Sequence, residues 1–144
     1  MNLFWDESKL NSYFENFLIP IATEFKSHPA LLAWDIINEP EGLLFVGKTD
    51  PEPCFDTRPL IGAGAGWDHD FVPMENILRF INHHAAVIKS IEGNTALVTA
   101  ASYREFSNIN AYGYKYGTKI CQCYSTTNML NIPRYSITRI ELLQ

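Results

Sequence analysis

Apolar side chains recur at spacings of three and four near the start of the chain: Leu10, Tyr13, Phe14, Phe17, Leu18, Ile21 and Phe25. That period predicts an amphipathic helix over residues 8–27. Pro20 interrupts it, so a kink or a fresh helical turn is expected there. Ser27-His28-Pro29 ends it, because the residue before a proline avoids the α region. The period then changes. A short, largely apolar run from Ala30 to Ile37 closes on Asn38-Glu39-Pro40. Such a run predicts a buried strand of a parallel sheet, Leu32 to Asn38, stopped by Pro40. A second helical period over 73–92 carries Ile77, Leu78, Ile81, Ala85, Ile88 and Ile91. Pro73 suits its first turn, Glu75 its dipole and Gly93-Asn94 its stop. Ala96 to Ser102 reads as a second buried strand.

Strand, loop, helix and strand in that order predict an α/β fold with a parallel crossover. Asn38, Glu39 and Ser102 then share the C-terminal rim of the sheet, where βα-barrel enzymes keep their chemistry. The segment 41–72 holds Pro51, Pro53, Pro59, Gly62, Gly64 and Gly66 and shows no period. A loop of that length is a functional wall or a disordered insertion. Beyond Ser102, Tyr112 to Tyr116 is loop-like, and from Tyr124 onward no clean period remains. There are no repeats and no low-complexity tracts.

Each polar candidate has a plain structural alternative. Glu39, at an apolar rim, suits proton transfer, since desolvation raises a carboxyl pKa; otherwise it is a loop glutamate that precedes a proline. Asn38 is a rim amide able to hydrogen-bond a ligand, or a capping or turn residue. Alternation puts Asp35 on the side of Ile37 and Glu39, as a buried acid whose ordinary role is structural. His28 falls at the N-terminal end of the strand, which favours a structural or surface role. Trp67 is a stacking platform or a packed loop anchor. Tyr103 and Arg104 follow the second strand and are cleft residues or ordinary loop residues. Gly62 to Gly66 lacks phosphate-loop spacing. Asp68-His69-Asp70 and Cys121-Gln122-Cys123 lack partners at metal-ligand spacing. His83 and His84 point different ways on one helix, with at least one toward solvent.

The run Trp34-Asp35-Ile36-Ile37-Asn38-Glu39-Pro40 resembles the strand-four signature of family 5 retaining glycoside hydrolases. More narrowly, the chain resembles the animal endo-β-1,4-mannanases. The likeness continues through Pro29-Ala30-Leu31, Cys54-Phe55-Asp56-Thr57, Gly64-Ala65-Gly66-Trp67, Ile77 to Asn82 and Ala96 to Thr99, and covers roughly residues 5 to 120. It implies a (β/α)8 barrel, represented from strand four to just past strand five. It implies that Glu39 is the general acid/base and that Asn38 binds the sugar 2-OH. It implies a β-mannan or other polysaccharide substrate, no cofactor, no metal, no nucleic acid and no membrane partner. Cellulose or another β-glucan is the alternative substrate, and a non-catalytic, sugar-binding remnant the alternative function. The family's nucleophile, a glutamate ending strand seven, has no counterpart; Glu141 ends no recognisable strand. The family's strand-two arginine, strand-six histidine and tyrosine, and strand-eight tryptophan are also unmatched. Residues 1–124 are expected to be part of a catalytic domain and 125–144 a tail without family resemblance.

Composition changes this picture in two places. A barrel of this kind takes about 250 residues, yet the chain has 144, with 31 before Leu32 and 42 after Ser102. It is therefore expected to be the middle of a barrel, inactive by itself. The intact family member is expected to be secreted, whereas Met1 to Glu7 lacks the pattern of a signal peptide. A net charge of −5, with scattered Lys and Arg, leaves no footprint for nucleic acid. No apolar run approaches the ~18 residues of a membrane span. Cys54 pairs with Cys121 or Cys123 in an oxidising compartment, or all three stay thiols.

Overall fold

The structure is a computed structural model and describes residues 3–52, 55–93 and 96–101. Helix α1 spans Glu7–Tyr13. Asp6 caps it, its carboxylate accepting the Lys9 N–H at 3.1 Å. The predicted helix over 8–27 is continuous in direction but not in type. Phe14–Leu18 is a π-helical segment, followed by α2 over Ile19–Phe25. Pro20 explains the change. It has no N–H to give to the preceding turn, and its ring crowds the carbonyl four residues back. One widened turn relieves the crowding without breaking the helix.

Strand β1 covers Trp34–Asn38 and strand β2 Val98–Ala101. They pair in parallel, Trp34 with Val98, Asp35 with Thr99 and Asn38 with Ala101. The step from Asp35 to Asn38 on β1 matches only Thr99 to Ala101 on β2, so β1 carries an irregularity there. Helix α3, Met74–Glu92, connects them. Pro73 stands just outside α3, at its N-cap, and not in its first turn. Its carbonyl accepts from Asn76 and Ile77.

Helix α3 is the centre of the core. Ile77, Ile81, Ala85 and Ile88 are almost fully buried, and α3 contacts both strands and the α1–α2 helix. Burying each of the three isoleucines contributes about 1.5–3 kcal/mol. The N-terminal segment is tied to the same helix: Phe4 stacks near Phe80 with centroids 4.5 Å apart, and its carbonyl accepts from Asn76 and Arg79. His84, given no role by the pattern, is a core residue. Its ring lies 4.0 Å from that of Phe80 and 4.8 Å from that of Phe14, and Nδ1–H donates to the Phe80 carbonyl at 2.8 Å. His83 is half-buried, so neither histidine is a freely exposed group.

The first strand and the residues before it depart from the expected burial, while β2 keeps Val98 and Ala100 buried. Leu32 is 79% exposed, and Asp35 is exposed and not a buried acid. The register irregularity breaks the period-two alternation, so that Ile36 and Ile37 are both half-buried while Asp35 and Asn38 both face solvent.

Candidate active site

The two strands end together. Glu39 follows β1 directly, and its N–H donates to the carbonyl of Ala101, the last residue of β2, at 2.7 Å. Glu39 has φ 51° and ψ 52°, the left-handed conformation. That costs an L-residue roughly 1–2 kcal/mol. Pro40, with its fixed φ, then opens a 3-10 turn over Pro40–Leu43 that closes with Gly42 N–H on the Glu39 carbonyl at 3.0 Å. The chain thus reverses sharply at Glu39 and leaves its half-buried carboxyl at the rim beside exposed Asn38.

The segment after the turn is an ordered loop. Its base is closed by a parallel bridge between Leu44 and Val72: Phe45 N–H donates to Val72 O at 2.8 Å and Val72 N–H to Leu43 O at 2.7 Å. Thr57 is fully buried and clasps the middle. Its hydroxyl donates to Phe45 O at 2.7 Å and accepts the Lys48 N–H at 2.9 Å. Lys48 Nζ reaches Glu75 in the first turn of α3 at 2.8 Å. The hydrogen bond that Lys48 donates to Glu75 raises the Lys48 pKa against desolvation, and Asp50 adds to the rise. Asp56 and Arg58 form an exposed pair that lowers the acid and raises the base.

The far arm of the loop returns to the rim. Gly66 N–H donates to Glu41 O at 2.9 Å and Asp68 N–H to Gly42 O at 2.8 Å, so the intervening Trp67 is held beside the turn that follows Glu39. Glu41 is itself buried in that turn, a feature the loop-like sequence did not signal.

The other candidates fall elsewhere. His28 is exposed, and its Nδ1 accepts the Ala30 N–H at 3.2 Å in a turn begun by Ser27 at φ 60°, a structural role. Asp68, His69 and Asp70 are exposed, and among the described residues no three His, Cys, Asp or Glu side chains gather as a metal site. No helix among them is long and apolar enough to cross a membrane. Ser102, Tyr103, Arg104, Cys54, Cys121, Cys123 and Glu141 lie outside the described residues. At the opposite end of β1, Trp34 Nε1–H donates to Glu92 at 2.5 Å, joining strand and helix away from the rim.

A parallel strand–helix–strand unit with an acid and an amide at its C-terminal rim has the architecture of the α/β class, whose enzymes keep their chemistry at that end. The solved structures it matches narrow that class. The chain superposes on the β-1,4-D-mannanase of Cryptopygus antarcticus with a TM-score of 0.82 at 38% identity, over 98% of this chain and 37% of that one. It superposes on the endo-1,4-β-mannanase of Eisenia fetida with a TM-score of 0.83 at 34% identity, over 97% and 37%. Among curated proteins, two named mannan endo-1,4-β-mannosidase are similar. The one from Cryptopygus antarcticus is 46% identical over 114 residues, and that from Mytilus edulis 43% over 109. These matches take in 79% and 76% of this chain, which spans 29% of the length of each relative. No family model matches the sequence. The resemblance to the β-mannanases therefore holds in sequence and in structure, over about a third of their length.

Proposed function

We propose that these residues are the strand-four to strand-five portion of a family 5 (β/α)8 glycoside hydrolase that cleaves β-1,4-mannan with retention of configuration. Residues 1–124 would belong to that barrel. The observation that carries the reading is the position of Glu39: it ends β1, bonds to the end of β2 and is turned out at the shared rim.

In that reaction Glu39 protonates the departing glycosidic oxygen, and a second carboxylate about 5–5.5 Å away attacks the anomeric carbon. Glu39, now a carboxylate, takes a proton from water as the water displaces the enzyme from the sugar. Asn38, exposed beside it, hydrogen-bonds the 2-OH, an interaction that strengthens in the transition state. The second carboxylate is supplied by another barrel strand. The exposure of Asp35 and Asn38 on β1 fits a sheet that continues around a barrel, since parallel strands are ordinarily covered on both faces.

The test is reducing-sugar release from β-mannan by a chain in which these residues are joined to the remaining barrel strands. Turnover that Glu39→Gln reduces by about 10²–10⁴-fold is expected. Full turnover in that variant contradicts the assignment.

A further inference from the structure

Thr57 has no exposed surface, and its hydroxyl is taken into the interior with it. A hydroxyl removed from water is costly unless it is bonded, and a valine would fill the same space. The bonds show what the hydroxyl does. It stands between the Phe45 carbonyl, to which it donates at 2.7 Å, and the Lys48 N–H, which it accepts at 2.9 Å. Those are the two groups that a β-turn over 45–48 would join directly. Gly47, at φ 89°, lets the chain bend there. The Thr57 backbone completes the clasp: its N–H donates to the Lys48 carbonyl at 2.9 Å, and its carbonyl accepts from Gly47 at 3.3 Å.

The clasped segment is the wall on which the far arm of the loop bears. A Cβ built on Gly66 would lie 2.8 Å from Val46 Cγ2 and 2.9 Å from the Leu44 carbonyl, so the Gly66 backbone sits directly against that wall. Gly66 N–H in turn donates to the Glu41 carbonyl at 2.9 Å, in the same 3-10 turn whose Gly42 N–H donates to the Glu39 carbonyl at 3.0 Å. Glu39 is left-handed, a state that an L-residue keeps only where its surroundings enforce it. The Thr57 hydroxyl and the Glu39 backbone are thus joined by an unbroken run of hydrogen bonds and packed backbone.

We propose that Thr57 is a positioning residue for the rim acid: its hydroxyl fixes the turn over 45–48, that turn seats Gly66, and Gly66 braces the turn that keeps Glu39 left-handed. That Glu39 acts on a glycosidic bond rests on the glycoside hydrolase reading; the brace itself does not. A carboxyl that transfers a proton must be held within hydrogen-bond reach of the oxygen it serves, and small misplacements of such groups cost rate. The loop therefore serves the rim through its backbone, without a side chain of its own at the reacting bond.

The experiment compares native-state NMR spectra of the full chain in the parent, Thr57→Val and Thr57→Ser. Thr57→Val is expected to move the amide protons of Gly66 and Gly42 upfield, as their hydrogen bonds lengthen, and to move the Glu39 Cα and Cβ resonances away from left-handed values. Thr57→Ser keeps the hydroxyl and should return all of them to the parent positions. Ile81 and Ala85, in the core of α3, serve as references and should stay in place in both variants. Glu39 resonances that do not move in Thr57→Val overturn the proposal, whatever happens at Gly47 and Lys48, because the clasp then ends at its own turn. Shifts that Thr57→Ser does not reverse overturn it by making shape, and not the hydroxyl, the cause. Shifts at Ile81 and Ala85 as large as those at Gly66 also overturn it, by marking Thr57 as a general core residue. If Thr57→Val does not fold, Gly66→Ala interrupts the same path from its other side, and unmoved Glu39 resonances in that variant overturn the brace. No arm reads turnover, so failure here leaves the hydrolase reading to the assay of Glu39→Gln.

Discussion

Glu39 and Ala101 are joined by a backbone hydrogen bond of 2.7 Å, which ties the residue after β1 to the last residue of β2. The bond exists because the register irregularity between Asp35 and Asn38 brings Asn38 level with Ala101. It holds Glu39 in a left-handed conformation that a glutamate does not choose by itself. Strain of this kind persists where surrounding contacts over-determine it, and it gathers at working residues.

Glu39 is therefore expected to show opposed effects on stability and function. Glu39→Gly removes the left-handed penalty of roughly 1–2 kcal/mol and adds back about 0.5–1 kcal/mol of unfolded-chain entropy. It should be as stable as the parent or slightly more so in urea unfolding, while Glu39→Val is clearly less stable. A Glu39→Val variant as stable as Glu39→Gly would show that the backbone is unstrained.

Gly62, with φ 79° and nothing within 4 Å of a built Cβ, serves as the reference for Gly66. Gly62→Ala should cost about 1 kcal/mol from backbone conformation alone. Gly66→Ala meets the Leu44 carbonyl as well, and should cost about 1–3 kcal/mol more, as overpacking does. Thermal melts of the two variants measure the difference, and equal losses would refute the close approach.

Thr57 gives the loop a separate test. Thr57→Val keeps the shape and removes a hydroxyl that bonds Phe45 O and Lys48 N. The expected loss is about 1–3 kcal/mol, with faster proteolysis between Phe45 and Gly66. Thr57→Ser should restore resistance. Equal cleavage rates in all three proteins would mean that the clasp does not hold the loop.

His84 makes stability depend on pH. Burial, together with neighbouring His83, lowers its pKa from 6.5 to about 4, against a raising contribution from the Phe80 carbonyl. Burial lowers His83 in the same direction. Between pH 6.5 and 4 the unfolded chain holds the His84 proton and the folded chain does not. Stability is therefore complete above pH 6.5, falls as pH drops through that window, and loses nothing further from this group below 4. The total is about 3 kcal/mol. Urea unfolding across pH 4–7 should show the slope, and His84→Phe should flatten it.

Much of this arrangement is legible in the sequence. The change from a three-four period to the run ending at Asn38, and back again at residue 73, sets out β1, α3 and β2 in order. The proline after Glu39 marks the end of the strand, so the rim position of the acid follows. What escapes is whatever depends on neighbours. A one-residue irregularity inside β1 leaves no mark on composition, yet it turns Asp35 outward. The left-handed state of Glu39 has no glycine to announce it. Pro20 signals a disturbance, but only packing decides that a π turn and not a break absorbs it. His84 is polar in any pattern count, and becomes core only because Phe14 and Phe80 surround it and the Phe80 carbonyl accepts its Nδ1–H hydrogen bond. Trp67 is visible as a loop aromatic, while its seat on Gly42 needs the loop to fold back across 25 residues.

A polysaccharide's leaving alcohol must be protonated, whereas an activated phenol leaves without help, so Glu39 in the completed barrel can be tested by two substrates in pre-steady-state kinetics. Glu39→Gln is predicted to slow the glycosylation step on β-mannan by about 10²–10⁴-fold, and to leave that step nearly unchanged on an aryl β-mannobioside with a good leaving group. Equal losses on both substrates would contradict Glu39 as the general acid.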